Sequence, residues 1–162
     1  MAKTQQLQIR VSPAEKARIK RLARRAGMDV SAYVLSCVLQ PDADRFEALI
    51  GMLRRERDQR FTLATINDFL AALPPAQFRD AVAQADVCPL SPFLQNYVAA
   101  MVEHAAHQKG VESPEWVRDV TSLDQPHFTV EFASLRLYLL RCAPVAFKRR
   151  NIFVDASVSD RV

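Results

Sequence analysis

Chemistry in this chain must come from a short set of residues. Glu103, His104 and His107 share one helical stretch, and His at i and i+3 can share a metal ion. No cysteine or further histidine stands at a usable spacing, so a polar helix face is the expectation, with no metal and no other cofactor. His127 is isolated, and Asp119, Asp124, Asp155 and Asp160 are scattered without a spacing that pairs two carboxylates. Cys37, Cys88 and Cys142 are odd in number and widely spread, which makes neither a disulfide framework nor a zinc signature. Cys88 and Cys142 read as buried small hydrophobes. Glycines occur only at 27, 51 and 110, which excludes GxGxxG and P-loop nucleotide sites, and no GxSxG elbow is present. No catalytic residue is nominated. Two sets remain: Gln6, Gln8 and Arg10, whose amide and guanidinium groups match base edges, and the Lys148-Arg149-Arg150 run before Ile152, Phe153 and Val154.

The 162 residues are 49% hydrophobic and 25% charged, the balance of a globular chain with room for one domain or a short module plus a second. Apolar runs such as Tyr97 to Val102 are too short to cross a bilayer. Met1 to Gln6 has no apolar signal-peptide core, which predicts a cytoplasmic location. Residues 1–27 carry eight basic side chains against Glu15 alone, a net charge of +7, while the whole chain is +4. The remainder is therefore mildly acidic. A basic head on such a body points to a polyanion-binding module joined to something with another task.

Residues 6–12 alternate strictly between polar and apolar. At strand period Leu7, Ile9 and Val11 share one face and Gln6, Gln8 and Arg10 the other. Ser12-Pro13 then starts a helix, with Ser12 as N-cap, Pro13 at the first position and Glu15 completing a near capping box. This helix runs to about Ala26 and should bury Ala14, Ile19, Leu22, Ala23 and Ala26, with Gly27 as its stop. Asp29 caps a second helix whose apolar face holds Ala32, Tyr33, Val34, Cys37, Val38 and Leu39, and Pro41 ends it. One strand and two short helices bury too little surface to stand alone. A two-fold dimer solves this: two copies of strand 6–12 pair antiparallel over four helices and present two sets of Gln6, Gln8 and Arg10. Such a ribbon fits the B-DNA major groove.

Across residues 5–39 the chain resembles the ribbon-helix-helix family of bacterial DNA-binding proteins, through Leu7-Gln8-Ile9-Arg10-Val11-Ser12 and the turn Gly27-Met28-Asp29-Val30-Ser31. The resemblance implies a homodimer through residues 6–12 that binds double-stranded DNA. Gln6, Gln8 and Arg10 would read bases, while Lys3 and the backbone amides near Val30 and Ser31 would hold phosphate. Asp29 departs from the pattern, which often has Ser there. A carboxylate near phosphate is unfavourable, so the clamp would be weaker or would shift to the Ser31 hydroxyl.

The rest of the chain reads as helical, so the expected fold is mainly α. An N-terminal ribbon-helix-helix dimerisation module (1–40) leads through a connecting helix (41–60) to an α-helical C-terminal domain (61–162). Helices are expected at 44–57, 62–73, 75–86 and 91–109, followed by a capped turn at Ser113-Pro114-Glu115-Trp116-Val117. Trp116, Phe128 and Phe147 read either as core anchors or, with Lys148, Arg149, Arg150 and Phe153, as a partner-binding surface. Residues 91–154 are similar to bacterial antitoxins encoded beside nucleotidyltransferase-like toxins. The matching residues are Pro114-x-Trp116, Leu123-x-x-Pro126-x-Phe128, Leu135-Arg136 with Leu139-Leu140, Pro144-x-x-Phe147 and Arg150 to Val154. That similarity implies a folded partner-binding domain and a protein toxin as its partner. The combined expectation is an antitoxin that represses its own operon. Two alternatives stay open: a ribbon-helix-helix regulator sensing a ligand or metal through His104 and His107, and an enzyme using Asp119 or Asp124 in loops after residue 110.

Overall fold

A computed structural model describes residues 8–39, 41–56, 58–130 and 132–155. It is 65% helix and 3% strand, a mainly α fold as expected. The chain divides into two units, residues 1–40 and 41–162, and each is described by itself.

In the first unit, helix α1 (Pro13–Arg25) starts where the sequence places it. Ser12 Oγ accepts from the Glu15 amide, while Glu15 Oε2 accepts from the Ser12 amide at 2.7 Å, a complete capping box. The Ser12 donors hold the Glu15 carboxyl below its ordinary value. Ala26 closes the helix, and Gly27 takes φ +67°, a left-handed conformation that costs glycine little. Asp29 then caps α2 (Val30–Leu39): its Oδ1 accepts from the Ser31 amide at 2.7 Å and the Ala32 amide at 3.2 Å.

What this unit lacks is a core. Among its described residues only Ala23 is buried; Ile19 and Leu22 are half-buried, and Ala14 and Ala26 are exposed, contrary to expectation. On α2, Ala32, Tyr33 and Val34 are half-buried while Cys37 and Val38 face outward. The apolar stripes exist, but the described residues of this unit leave them largely uncovered. Residues 8–11 belong to no helix or ladder. A strand is defined by the hydrogen bonds of its partner, and the described residues offer this segment none.

The second unit has a conventional core around α6 (Pro92–Lys109), the sixth helix in chain order. Before it come α3 (Pro41–Arg55), α4 (Arg60–Ala72) and α5 (Pro75–Val82). The 41–60 stretch is not a bare connector, because Phe46, Leu49, Ile50 and Leu53 are buried in the same cluster as Ile66, Leu70, Phe78 and Val82. Phe46 stacks on Phe69 at 5.8 Å. Ser91 and Pro92 start α6 as cap and first residue, and Gly110 at φ +66° stops it. Nine residues of α6 are buried, including Val98, Ala99, Ala100 and Val102. An almost all-round apolar surface is what a central helix needs.

After α6 come α7 (Trp116–Asp119), β1 (His127–Phe128), α8 (Ala133–Cys142), α9 (Val145–Lys148) and β2 (Ile152–Phe153). The cap expected from Ser113 is not made; Glu115 occupies the N-cap position without a side-chain bond. Strands β1 and β2 pair in parallel, His127 with Ile152 and Phe128 with Phe153, and the two phenyl rings stack at 4.8 Å. The cysteine expectation fails in part: Cys88 is exposed and Cys142 is only half-buried.

Arg150 ties these segments together. It is 6% exposed, and its guanidinium donates to Val117 O at 2.6 Å, Val120 O at 3.3 Å and Glu103 Oε2 at 3.4 Å. Burial lowers the guanidinium pKa and Glu103 opposes that shift. Replacing Arg150 by alanine strands the carbonyls of Val117 and Val120 while Glu103 keeps Arg149, and each buried polar group left without a partner costs about 1–3 kcal/mol. Arg150→Ala is expected to lower the thermal midpoint of the second unit by several degrees, read by calorimetry, with the first unit unaffected.

Candidate nucleic-acid interface

The first unit carries the charge. Its 40 residues hold eight basic side chains against Glu15 and Asp29, a net of +6. Of those cations Arg10, Lys16, Arg18, Lys20, Arg21, Arg24 and Arg25 lie within the described residues, and all are exposed. None of them is drawn into an ion pair within the described residues.

Beside these charges runs an open apolar groove of about 500 Å³, lined by Ile9, Val11, Ile19, Val30 and Val34 together with Arg10, Lys16 and Lys20. Ile9 is 60% exposed and Val11 43%. The periodicity of residues 6–12 puts Ile9 and Val11 on the apolar face and Gln8 and Arg10 on the other. Ile9 and Val11 thus line the groove beside Ile19, Val30 and Val34, and Arg10 lines it as well. Gln8 and Arg10 are exposed; Lys3, Gln6 and Leu7 lie outside the described residues. Of the groove residues on the helices, Ile19 and Val34 belong to the apolar faces that the sequence assigns to α1 and α2, while Val30 does not; its place four residues before Val34 is the signal for it.

The Ser31 amide nominated to hold phosphate already has an acceptor within its own turn, the Asp29 carboxylate, as does that of Ala32. Asp29 places a negative charge where a helix N-terminus would otherwise attract an anion. Asp29→Ser keeps a capping oxygen and removes that charge. It is expected to tighten DNA binding several-fold in a gel shift at low salt, with helix content by circular dichroism unchanged.

The residues nominated for partner binding are mostly structural. Phe147 is 2% exposed and contacts Tyr97 edge-on at 5.3 Å, and Phe153 is buried against Leu139 and Ala143. The Trp116 indole donates to Val82 O at 2.8 Å, Phe128 stacks on Phe153, and Arg150 is buried as described. Lys148 is half-buried, its ammonium on Arg141 O at 2.8 Å, and the exposed Arg149 pairs with Glu103 at 3.1 Å. These residues are held by their own unit, so they do not by themselves make an open docking face. His104 packs edge-on against Phe147 at 6.4 Å, and His107 is exposed. Among the described residues no group of three His, Cys, Asp or Glu is placed to hold a metal. No helix among them is long and apolar enough to cross a membrane.

A family model described as mobilization protein NikA, NikA-like, matches residues 1–55, about a third of the chain. The match covers the basic unit and continues through α3. No match was found among curated proteins or among solved structures.

Proposed function

We infer that this protein is a dimeric DNA-binding protein of the ribbon-helix-helix type, with a second unit that engages a protein partner. One observation carries the reading: a +6 unit of 40 residues has a single buried side chain among those described and an open apolar groove flanked by cations. Such a unit is completed by a second copy. Pairing residues 6–12 of two copies covers Ile9, Val11 and Val34 and turns Gln8 and Arg10 of both toward a duplex. The similarity of residues 1–55 to a mobilization protein supports DNA as the ligand.

Two biological settings are proposed for this dimer. The motifs of residues 91–154 favour an antitoxin that represses its own operon and neutralises a nucleotidyltransferase-like toxin from the cytoplasm. The similarity of residues 1–55 favours a mobilization factor acting on DNA of a transferable element. The two separate by ligand. In a gel shift at about 50 mM salt, an antitoxin-repressor retards the DNA immediately upstream of its own reading frame and co-purifies with the product of the adjacent one. A mobilization factor instead retards DNA at which mobilization begins, and ignores that promoter. A protein that retards no DNA even at this salt overturns both.

A further inference from the structure

Helix α8 covers the β1–β2 pair with a narrow face. Only Leu139 is buried on it, against Ala143 and Phe153. Turning 100° per residue, Leu137 falls about 160° from Leu139, with Ala133 about 120° and Leu140 about 100° away. They form a row to one side of the buried face at i, i+4 and i+7, the spacing of a helix-pairing seam. Leu137 is 78% exposed and Leu140 44%. Exposed leucines in such a row are unusual on a solvent face, since single scattered ones are the ordinary case.

Arg136 and Arg141 flank the seam, one on each side. Among the described residues neither is paired with a carboxylate; the Arg136 guanidinium lies over the Phe128 ring at 5.2 Å, which fixes it at the rim. In heptad terms these are the positions that face the flanks of a partner helix. If a second copy of α8 packed here in parallel, Arg136 would face Arg141; if antiparallel, each arginine would face its own counterpart. Like charges meet either way. Self-association is disfavoured and a partner of opposite sign is specified.

We propose that the outer face of α8, Ala133, Leu137 and Leu140 between Arg136 and Arg141, docks an amphipathic helix of another protein whose apolar row is flanked by Glu or Asp. This locates the partner contact of the function inferred above and rests on that reading for its biological meaning. It also moves the contact away from Phe147, Arg150 and Phe153, which the second unit uses internally.

The test uses the full chain and two synthetic helical peptides, each with a leucine seam, one flanked by glutamate and the other by lysine. Fluorescence anisotropy at low salt is expected to show at least a ten-fold preference for the glutamate peptide. Leu137→Glu with Leu140→Glu should abolish binding, and Arg136→Glu with Arg141→Glu should reverse the preference. Leu137→Gln, milder at this exposed position, should weaken binding with an unchanged circular dichroism spectrum. Binding of neither peptide, or equal binding of both, overturns the proposal. So does a Leu137→Glu, Leu140→Glu protein with half the wild-type mass in sedimentation, because the face would then join copies of this chain. The DNA gel shift is the separate readout of the first unit, and the α8 variants should leave it unchanged.

Discussion

Arg10→Ala is expected to lower affinity for specific DNA roughly 30-fold or more while leaving binding to random DNA nearly intact. A base contact from arginine contributes roughly 1–3 kcal/mol of discrimination, and a two-fold dimer makes it twice. Two contacts at the low end total about 2 kcal/mol, and 1.4 kcal/mol is tenfold. The salt dependence separates this role from simple charge attraction. If the dimer engages roughly six phosphates, log K falls with log salt at a slope near −5. A residue on a base edge leaves that slope close to unchanged, whereas a phosphate contact makes it shallower by about one per phosphate. Titrations on specific and random duplexes at several salt concentrations decide it. Equal losses on both duplexes would make Arg10 a phosphate contact and remove it from sequence reading.

Val34→Asp is expected to have the larger structural effect. In a single chain Val34 is half-buried at the edge of the open groove, and a surface change of that kind ordinarily costs within about 0.5 kcal/mol. In the paired unit the same position is sealed, and two unpaired carboxylates are buried at once. Each costs several kcal/mol, or stays protonated instead. The expected outcome is a protein of 18.3 kDa in sedimentation, with no DNA binding and a normal calorimetric transition for residues 41–162. Wild-type mass and wild-type DNA affinity in this variant would mean that the groove is not an interface.

Local signals were legible in the sequence where they act locally. Ser12, Pro13 and Glu15 announce the start of α1, Asp29 that of α2, and Ser91-Pro92 with Gly110 bracket α6; each works through bonds within one turn. What stayed hidden depends on distant chain. The Lys148-Arg149-Arg150 run reads as part of a partner-binding surface, because nothing in its spacing says that Val117 and Val120 will present carbonyls to Arg150. The two-residue β1–β2 pair joins segments about 25 residues apart, and neither is long enough to show a period. Helix α3 reads as a connecting helix with Phe46 inward, but its spacing does not say that Phe46 will meet Phe69 on the next helix. Cys88 fails differently: it follows the buried Val87 but lies in a loop at the surface, where residue type says little about burial.

The same division explains the first unit. Its helices and caps are those the sequence calls for, whereas the proposed strand and core need a second chain. Asp29 shows how a local signal bears on the proposed DNA contact. It caps α2 well and in doing so occupies the Ser31 amide, so this helix end offers less to a phosphate than a serine cap would.

Hydrogen exchange at residues 8–11 tests the pairing of two copies most directly. Within one chain these residues take part in no helix or ladder, so their amides should exchange at the rate of an open segment. Paired antiparallel across a two-fold axis, alternate amides gain partners. Mass-spectrometric exchange on the peptide spanning residues 6–12 is predicted to show strong protection at concentrations where the chain sediments as a dimer, and loss of that protection on dilution or in Val34→Asp. Free exchange of that peptide in the wild-type protein at high concentration would contradict the account.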